Sequence, residues 1–154
     1  MSASLHHLAP DDVSILEGML VMFGEAFHEM GTYTGNTPSE AYLRGLLSGD
    51  AFIALTAVKN GEVVGGIAAY ELKKFEQERS EIYIYDLAVR SGHRREGIAT
   101  ALIEKLKEIA AQRGAYVIFV QADTNEEDEP AIALYSKLGK REDILHFDIP
   151  VDCS

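Results

Sequence analysis

Leu87-Ala88-Val89-Arg90-Ser91-Gly92-His93-Arg94-Arg95-Glu96-Gly97-Ile98-Ala99-Thr100 is the stretch that decides the fold. An apolar run ends, a short basic turn follows, and a helical pattern begins. Glycine at the helix start lets a ligand come close to the backbone, because no side chain blocks it. First-turn amides have no intrahelical partner, and the helix dipole favours negative charge there. With Arg94 and Arg95 alongside, the turn has the makings of a pyrophosphate site. Such a basic knot stands out on a chain of net charge -11.

Working outward, Glu81–Val89 reads as a long strand rich in Ile, Tyr and Val. Behind the turn, Ile98, Leu102, Leu106 and Ile109 fall on one helical face, closed by Gly114. Ala115–Gln121 reads as a buried-type strand. Strand, helix and strand form a β-α-β unit, so the two strands should be parallel, and a ligand can enter where they splay apart.

Upstream, Leu5–Ala9 suggests a short strand. Pro10-Asp11-Asp12 opens a helix with Ile15, Leu16, Met19, Leu20, Phe23 and Phe27 at helical spacing. Gly31–Asn36 reads as a loop. Thr37-Pro38-Ser39-Glu40 reads as a capping box, with Pro38 at the first helical position, before a helix that buries Tyr42, Leu43, Leu46 and Leu47. Strands Ala51–Val58 and Val63–Leu72 flank an Asn60-Gly61 hairpin turn. Downstream come an acidic loop, Asp123–Glu129, a helix opened by Pro130 and closed by Gly139, and a last strand, Glu142–Ile149. The order predicts an α/β (α+β mixed) fold: a mixed, mostly antiparallel sheet with helices on both faces.

The 154 residues predict one domain, and 47% hydrophobic content can fill its core. With 14 basic against 25 acidic residues, nucleic acid is an unsuitable partner. The balance suits a cationic ligand, or simply solubility. The single cysteine, Cys153, allows no internal disulfide. No signal-like run or membrane-length stretch is present, so the expected location is cytoplasmic, without a membrane partner. His146 and Asp148 sit two residues apart without an evident third ligand, and no metal is expected. No phosphate-loop run occurs, which argues against a nucleotide-binding protein of that type.

Arg94-Arg95-Glu96-Gly97-Ile98-Ala99 matches the Arg/Gln-x-x-Gly-x-Gly/Ala acetyl-CoA signature of the GNAT N-acetyltransferases. Its place between strand and helix strengthens the match, as does Ala131-Ile132-Ala133-Leu134-Tyr135 ahead of Gly139. More narrowly, four stretches resemble the type I aminoglycoside 3-N-acetyltransferases, the gentamicin acetyltransferases. These are Phe75–Gln77 with Ser80–Val89, Gly114–Val117, Val120–Asp123 and His146–Ile149. The likeness runs from Leu16 to Ile149 and departs at Phe27–Gly31.

The resemblance implies that acetyl-CoA is the cosubstrate. Its pyrophosphate would lie on the amides from Arg94 to Thr100, that is Arg94, Arg95, Glu96, Gly97, Ile98, Ala99 and Thr100. Its pantetheine arm would pair along Leu87, Ala88 and Val89. Asp128 stands where the family has an asparagine contacting that arm. Tyr135 resembles the family's general acid, although a tyrosine on that helix also suits a core. Asp86, just before the pantetheine segment, is the preferred general base, against a purely structural role. A regular strand would turn Glu81 and Tyr83 away from Asp86.

A polycationic amine needs carboxylates and aromatic faces. The candidates are His28, Tyr33, Tyr83, Asp86, Asp123, Glu126, Glu127 and Asp148; the run from Glu126 is equally readable as a solvated loop. The expected reaction is transfer of acetyl to an aminoglycoside amine, the 3-amine by resemblance. The alternatives are a polyamine, another small amine or a protein terminus as acceptor, and a non-catalytic acyl-CoA-binding regulatory module. Oligomeric state stays open, with a homodimer among the options.

Overall fold

The computed structural model describes residues 3–152; Cys153 lies outside them. The chain divides between Gln121 and Ala122 into two compact units. The first holds a sheet of five strands in the order β1-β2-β3-β4-β5. These are β1 (Ser4–His7), β2 (Phe52–Lys59), β3 (Glu62–Lys73), β4 (Ser80–Val89) and β5 (Ala115–Val120). Neighbours are antiparallel except β4 and β5, which are parallel, as the β-α-β reading requires. Helices α1 (Val13–Phe27), α2 (Met30–Thr34), α3 (Glu40–Ser48) and α4 (Ile98–Arg113) complete this unit.

Adjacent residues of a strand point to opposite faces, and Gly65 and Gly66 show which helix covers which. A side chain on Gly66 would meet Met19 and Met22 of α1, whereas one on Gly65 would meet Ile98 of α4. The α1 side buries Met19, Met22, Phe23, Leu43, Phe52 and Ala54 as one cluster. On the other side lie Ile53, Leu55, Ile67 and Ala69, with Leu102 and Leu106 of α4 equally buried. Each such large apolar side chain contributes about 1.5–3 kcal/mol by leaving water.

Four local expectations are corrected. Residues 30–34 form α2 rather than a loop, and Tyr33 is on it. Helix α3 starts later than the proline suggested: Ser39 is the N-cap and its Oγ accepts from the Tyr42 amide at 3.1 Å. Thr37 instead donates to the Thr34 carbonyl, so its hydroxyl closes the preceding turn. Tyr42, expected inside, is 62% exposed. Strand β5 is also less buried than its composition suggested, because it forms an edge and exposes Tyr116 and Val117.

The second unit contains a short 3-10 turn, Glu126–Asp128, and α5 (Glu129–Leu138), with Pro130 in its first turn. The expected strand Glu142–Ile149 is not formed, and residues 140–152 carry no regular structure. Alternation alone does not make a strand; its backbone groups need a ladder partner. Among the described residues no helix is long and apolar enough to cross a membrane.

Candidate active site

The centre of the candidate site is an irregularity in β4. Its register with β3 steps from Ala68–Asp86 directly to Ala69–Ile84, which leaves Tyr85 as an extra, unpaired residue. A bulge of this kind resets the phase of a strand. Residues directly opposite in a ladder share a face, so Tyr83, opposite Tyr70, and Asp86, opposite Ala68, now lie on one face. The regular-strand expectation that separated Tyr83 from Asp86 is therefore corrected.

The same point marks the parting of the parallel pair. The β4–β5 ladder runs from Ser80–Ala115 to Ile84–Val120 and stops. Asp86–Val89 pair with β3 alone among the described residues, so Leu87, Ala88 and Val89 present an open strand edge.

Around the bulge runs a string of rings. Tyr83 stacks on Phe119 at 4.8 Å between centroids, and its hydroxyl donates to Gln121 Oε1 at 3.1 Å. Tyr85 meets Tyr83 and Tyr70 edge-on at 6.0 and 5.9 Å. Tyr70 and Tyr85 were not among the sequence candidates. The dense Tyr/Ile alternation of 82–85 was visible, but which residue would bulge was not.

Asp86 is half-buried, and the Tyr33 hydroxyl donates to its Oδ2 at 2.8 Å. Burial pushes the Asp86 carboxyl above the ordinary aspartate range, and the Tyr33 hydrogen bond draws it partly back. Tyr33 itself is raised, first by burial and then by the adjacent carboxylate. No Lys, Arg or His within the described residues forms an ion pair with Asp86. A carboxylate made more basic by burial and uncompensated by a cation is suited to accept a proton.

Glu81 is occupied elsewhere. It accepts from Tyr116 at 2.7 Å and from Lys74 at 2.9 Å, and these bonds hold its pKa down.

The basic turn follows β4. Gly97 is the N-cap of α4 at φ 81°, and a side chain there would meet no protein atom within 4 Å. The first helical bond is from the Ala101 amide to the Gly97 carbonyl, so the amides of Ile98, Ala99 and Thr100 have no partner within the helix. Arg94 and Arg95 are exposed, with Arg95 also left-handed at φ 67°. Glu96 is held beside this opening; its carboxylate binds Lys59 at 3.1 Å and lies 3.5 Å from His93 Nδ1. Arg90, not a sequence candidate, anchors the turn. Its guanidinium donates to the Val63 carbonyl at 2.8 Å and pairs with Glu25 and Glu62.

His28 caps α1 in a left-handed conformation and lines a cleft of about 370 Å³ with Glu25, Arg90, Ser91, His93 and Arg94. It thus falls beside the basic turn.

In the second unit, Asp128 is engaged locally: its Oδ2 accepts from the Asp123 amide at 2.7 Å, and Asn125 Oδ1 accepts from the Asp128 amide at 3.1 Å. Asp123, Glu126 and Glu127 are exposed. Asp148 is exposed and pairs with His146 at 2.9 Å. Tyr135 lies on α5; burial, then the Asp128 carboxylate, push its phenol up to about 12.

A mixed sheet whose parallel pair parts beside a carboxylate, next to an arginine-flanked helix start, defines an acyl-transfer scaffold of the acetyltransferase class. The Acetyltransferase (GNAT) family matches residues 20–140, and the chain belongs to that family. The chain is similar to an aminoglycoside acetyltransferase from an uncultured soil metagenomic sample: 71% identity, 99% of this chain and 100% of that one covered, TM-score 0.97. A second soil-metagenome aminoglycoside acetyltransferase, solved with sisomicin, is 26% identical over 97% of both chains, TM-score 0.88. A rat protein, N-acetyltransferase family 8 member 2, is 34% identical over 84 residues, which span 54% of this chain and 36% of the rat protein.

Proposed function

We propose that this protein transfers an acetyl group from acetyl-CoA to an amine of an aminoglycoside, the 3-amine of the deoxystreptamine ring. The observation that carries the reading is the 71% identity, end to end, to an aminoglycoside acetyltransferase. The site chemistry supports it: a half-buried carboxylate, flanked by tyrosine faces, suits an ammonium group.

Acetyl-CoA fits the features present. The open space at Gly97, the unpartnered amides of Ile98 to Thr100 and the exposed Arg94 and Arg95 suit a pyrophosphate. The open edge of Leu87–Val89 suits an amide-bearing arm able to pair as a strand. The thioester supplies the activated acetyl group.

Four tasks then fall to the chain. Asp86 takes a proton from the acceptor ammonium, which frees the amine lone pair for attack. A backbone amide near Leu87 donates to the carbonyl oxygen as negative charge builds on it. By family resemblance, Tyr135 gives its proton to the departing thiolate, and at about 12 its phenol remains protonated at working pH. Holding both reactants in attack geometry supplies several further kcal/mol.

The test is thiol release from acetyl-CoA with gentamicin, apramycin and spermidine, at low and high salt. Acetylation of the aminoglycosides, with an acceptor KM that rises with salt, is expected because exposed charges are screened over about 8 Å at physiological ionic strength. Turnover of spermidine alone would make the acceptor a polyamine. Binding of CoA without any turnover would leave a regulatory module.

A further inference from the structure

Tyr33 and Asp86 are 53 residues apart in sequence, yet the phenol meets the carboxylate at 2.8 Å. Three features fix the phenol there. Its ring packs against Phe23 and Phe27 of α1, at 6.0 and 5.9 Å between centroids. Helix α2, which carries it, lies so close to α1 that a side chain on Gly24 would come within 2.8 Å of Met30 Sδ and 3.3 Å of Tyr33 Cβ. The Tyr33 amide also bonds to the Glu29 carbonyl at 3.1 Å, which closes the short helix.

We infer that Tyr33 is a positioning residue for acetyl transfer: its hydroxyl holds one oxygen of Asp86 so that the other faces the acceptor ammonium as an ionised base. This rests on the reading of Asp86 as general base. A buried carboxylate without a cation would otherwise drift toward the neutral acid, which cannot accept a proton. A neutral donor restrains that drift without competing as a charge against the incoming ammonium. Tyr33 stays protonated throughout, since burial and Asp86 both raise it. The other titratable groups around the pair are Tyr70 on β3, Tyr83 and Tyr85 on β4, and Glu29 at the head of α2. None of these side chains is a Lys, Arg or His, which leaves Tyr33 as the stabilising donor.

The test is Tyr33→Phe, which keeps the ring packing and removes the hydrogen bond. The Asp86 side chain is titrated by carbon NMR, assigned through Asp86→Asn, alongside pH–rate profiles with gentamicin. The expected result is an upward shift of the Asp86 midpoint and of the acid limb of kcat/KM. At neutral pH kcat/KM should fall about tenfold, the worth of one hydrogen bond to a charged group, and recover as pH rises, with acetyl-CoA KM unchanged. Leu106→Ala, which opens the core on the α4 side of the sheet away from Tyr33, should lower Tm and leave the midpoint in place. An Asp86 midpoint identical in wild type and Tyr33→Phe would overturn the inference. So would a rate loss independent of pH. A shifted midpoint in a protein that acetylates no amine supports Tyr33 as the group that sets Asp86 and removes the acceptor reading instead.

Discussion

Tyr83 and Asp86 project from the same face of β4 although three positions separate them, because Tyr85 is left over in the register with β3. One bulged residue thereby assembles a carboxylate and a ring face that a regular strand would have set on opposite sides. The parallel ladder to β5 ends one residue before that bulge, at Ile84. Phase reset and open edge occupy the same stretch of strand.

Asp86→Asn should abolish most turnover at neutral pH while stabilising the protein. Burial raises the Asp86 carboxyl above its ordinary 3.8. Between that value and the raised one, the folded state holds the extra proton, so stability falls as pH climbs through the window. The amide carries no such penalty. Thermal melts should show the variant ahead of wild type at pH 8 and level with it near pH 3. The gain should be roughly 2–4 °C for each kcal/mol recovered. A variant less stable than wild type at pH 8 would contradict the assigned cause.

Gly97→Val is expected to fold and to lose CoA. The added side chain meets no protein atom, but the residue sits at φ 81°, where an L-residue costs about 1–2 kcal/mol. Calorimetry should show CoA binding weakened at least tenfold, about 1.4 kcal/mol. Unchanged affinity in a folded variant would mean that the pyrophosphate lies elsewhere.

Tyr135→Phe should lower kcat about a hundredfold and leave acetyl-CoA binding unaltered, since a proton donor to the leaving group acts only in the transition state. The phenol titrates only at about 12. In wild type, then, no alkaline loss of kcat below about pH 10 should come from this group. A drop smaller than threefold would assign Tyr135 to packing.

Gly24→Val should disturb α2 and the seat of Tyr33 on it. Its side chain would collide with Met30 Sδ at 2.8 Å and the Met30 Cα at 3.3 Å. Overpacking of this kind costs about 1–3 kcal/mol. Chemical melts should show that loss, and the Asp86 titration should move in the direction of Tyr33→Phe because α2 carries the phenol. A destabilised variant with an unmoved Asp86 would uncouple α2 from the carboxylate.

By itself the sequence determined the long helices α1 and α4, the hairpin at Asn60-Gly61, the β-α-β unit and the basic turn ending at Gly97. These follow from local chemistry: apolar periodicity, left-handed backbone at Asn60, Gly61 and Gly97, and helix amides without partners. The place of Asp86, directly before the open strand edge, was also legible. What remained hidden depended on contacts distant in the chain. Residues 31–36 carry loop-like Gly, Thr and Asn, yet residues 30–34 become helical, packed against α1 where Gly24 leaves room. The Tyr33–Asp86 bond spans 53 residues and has no local signature. Tyr85 looks like any other member of an alternating strand, and only its register against β3 makes it the extra one. The alternating pattern of 142–149 predicted a strand that is not formed, since a strand exists only through a partner. Local propensity fixes which elements can form; cross-chain register and packing decide which side chains meet.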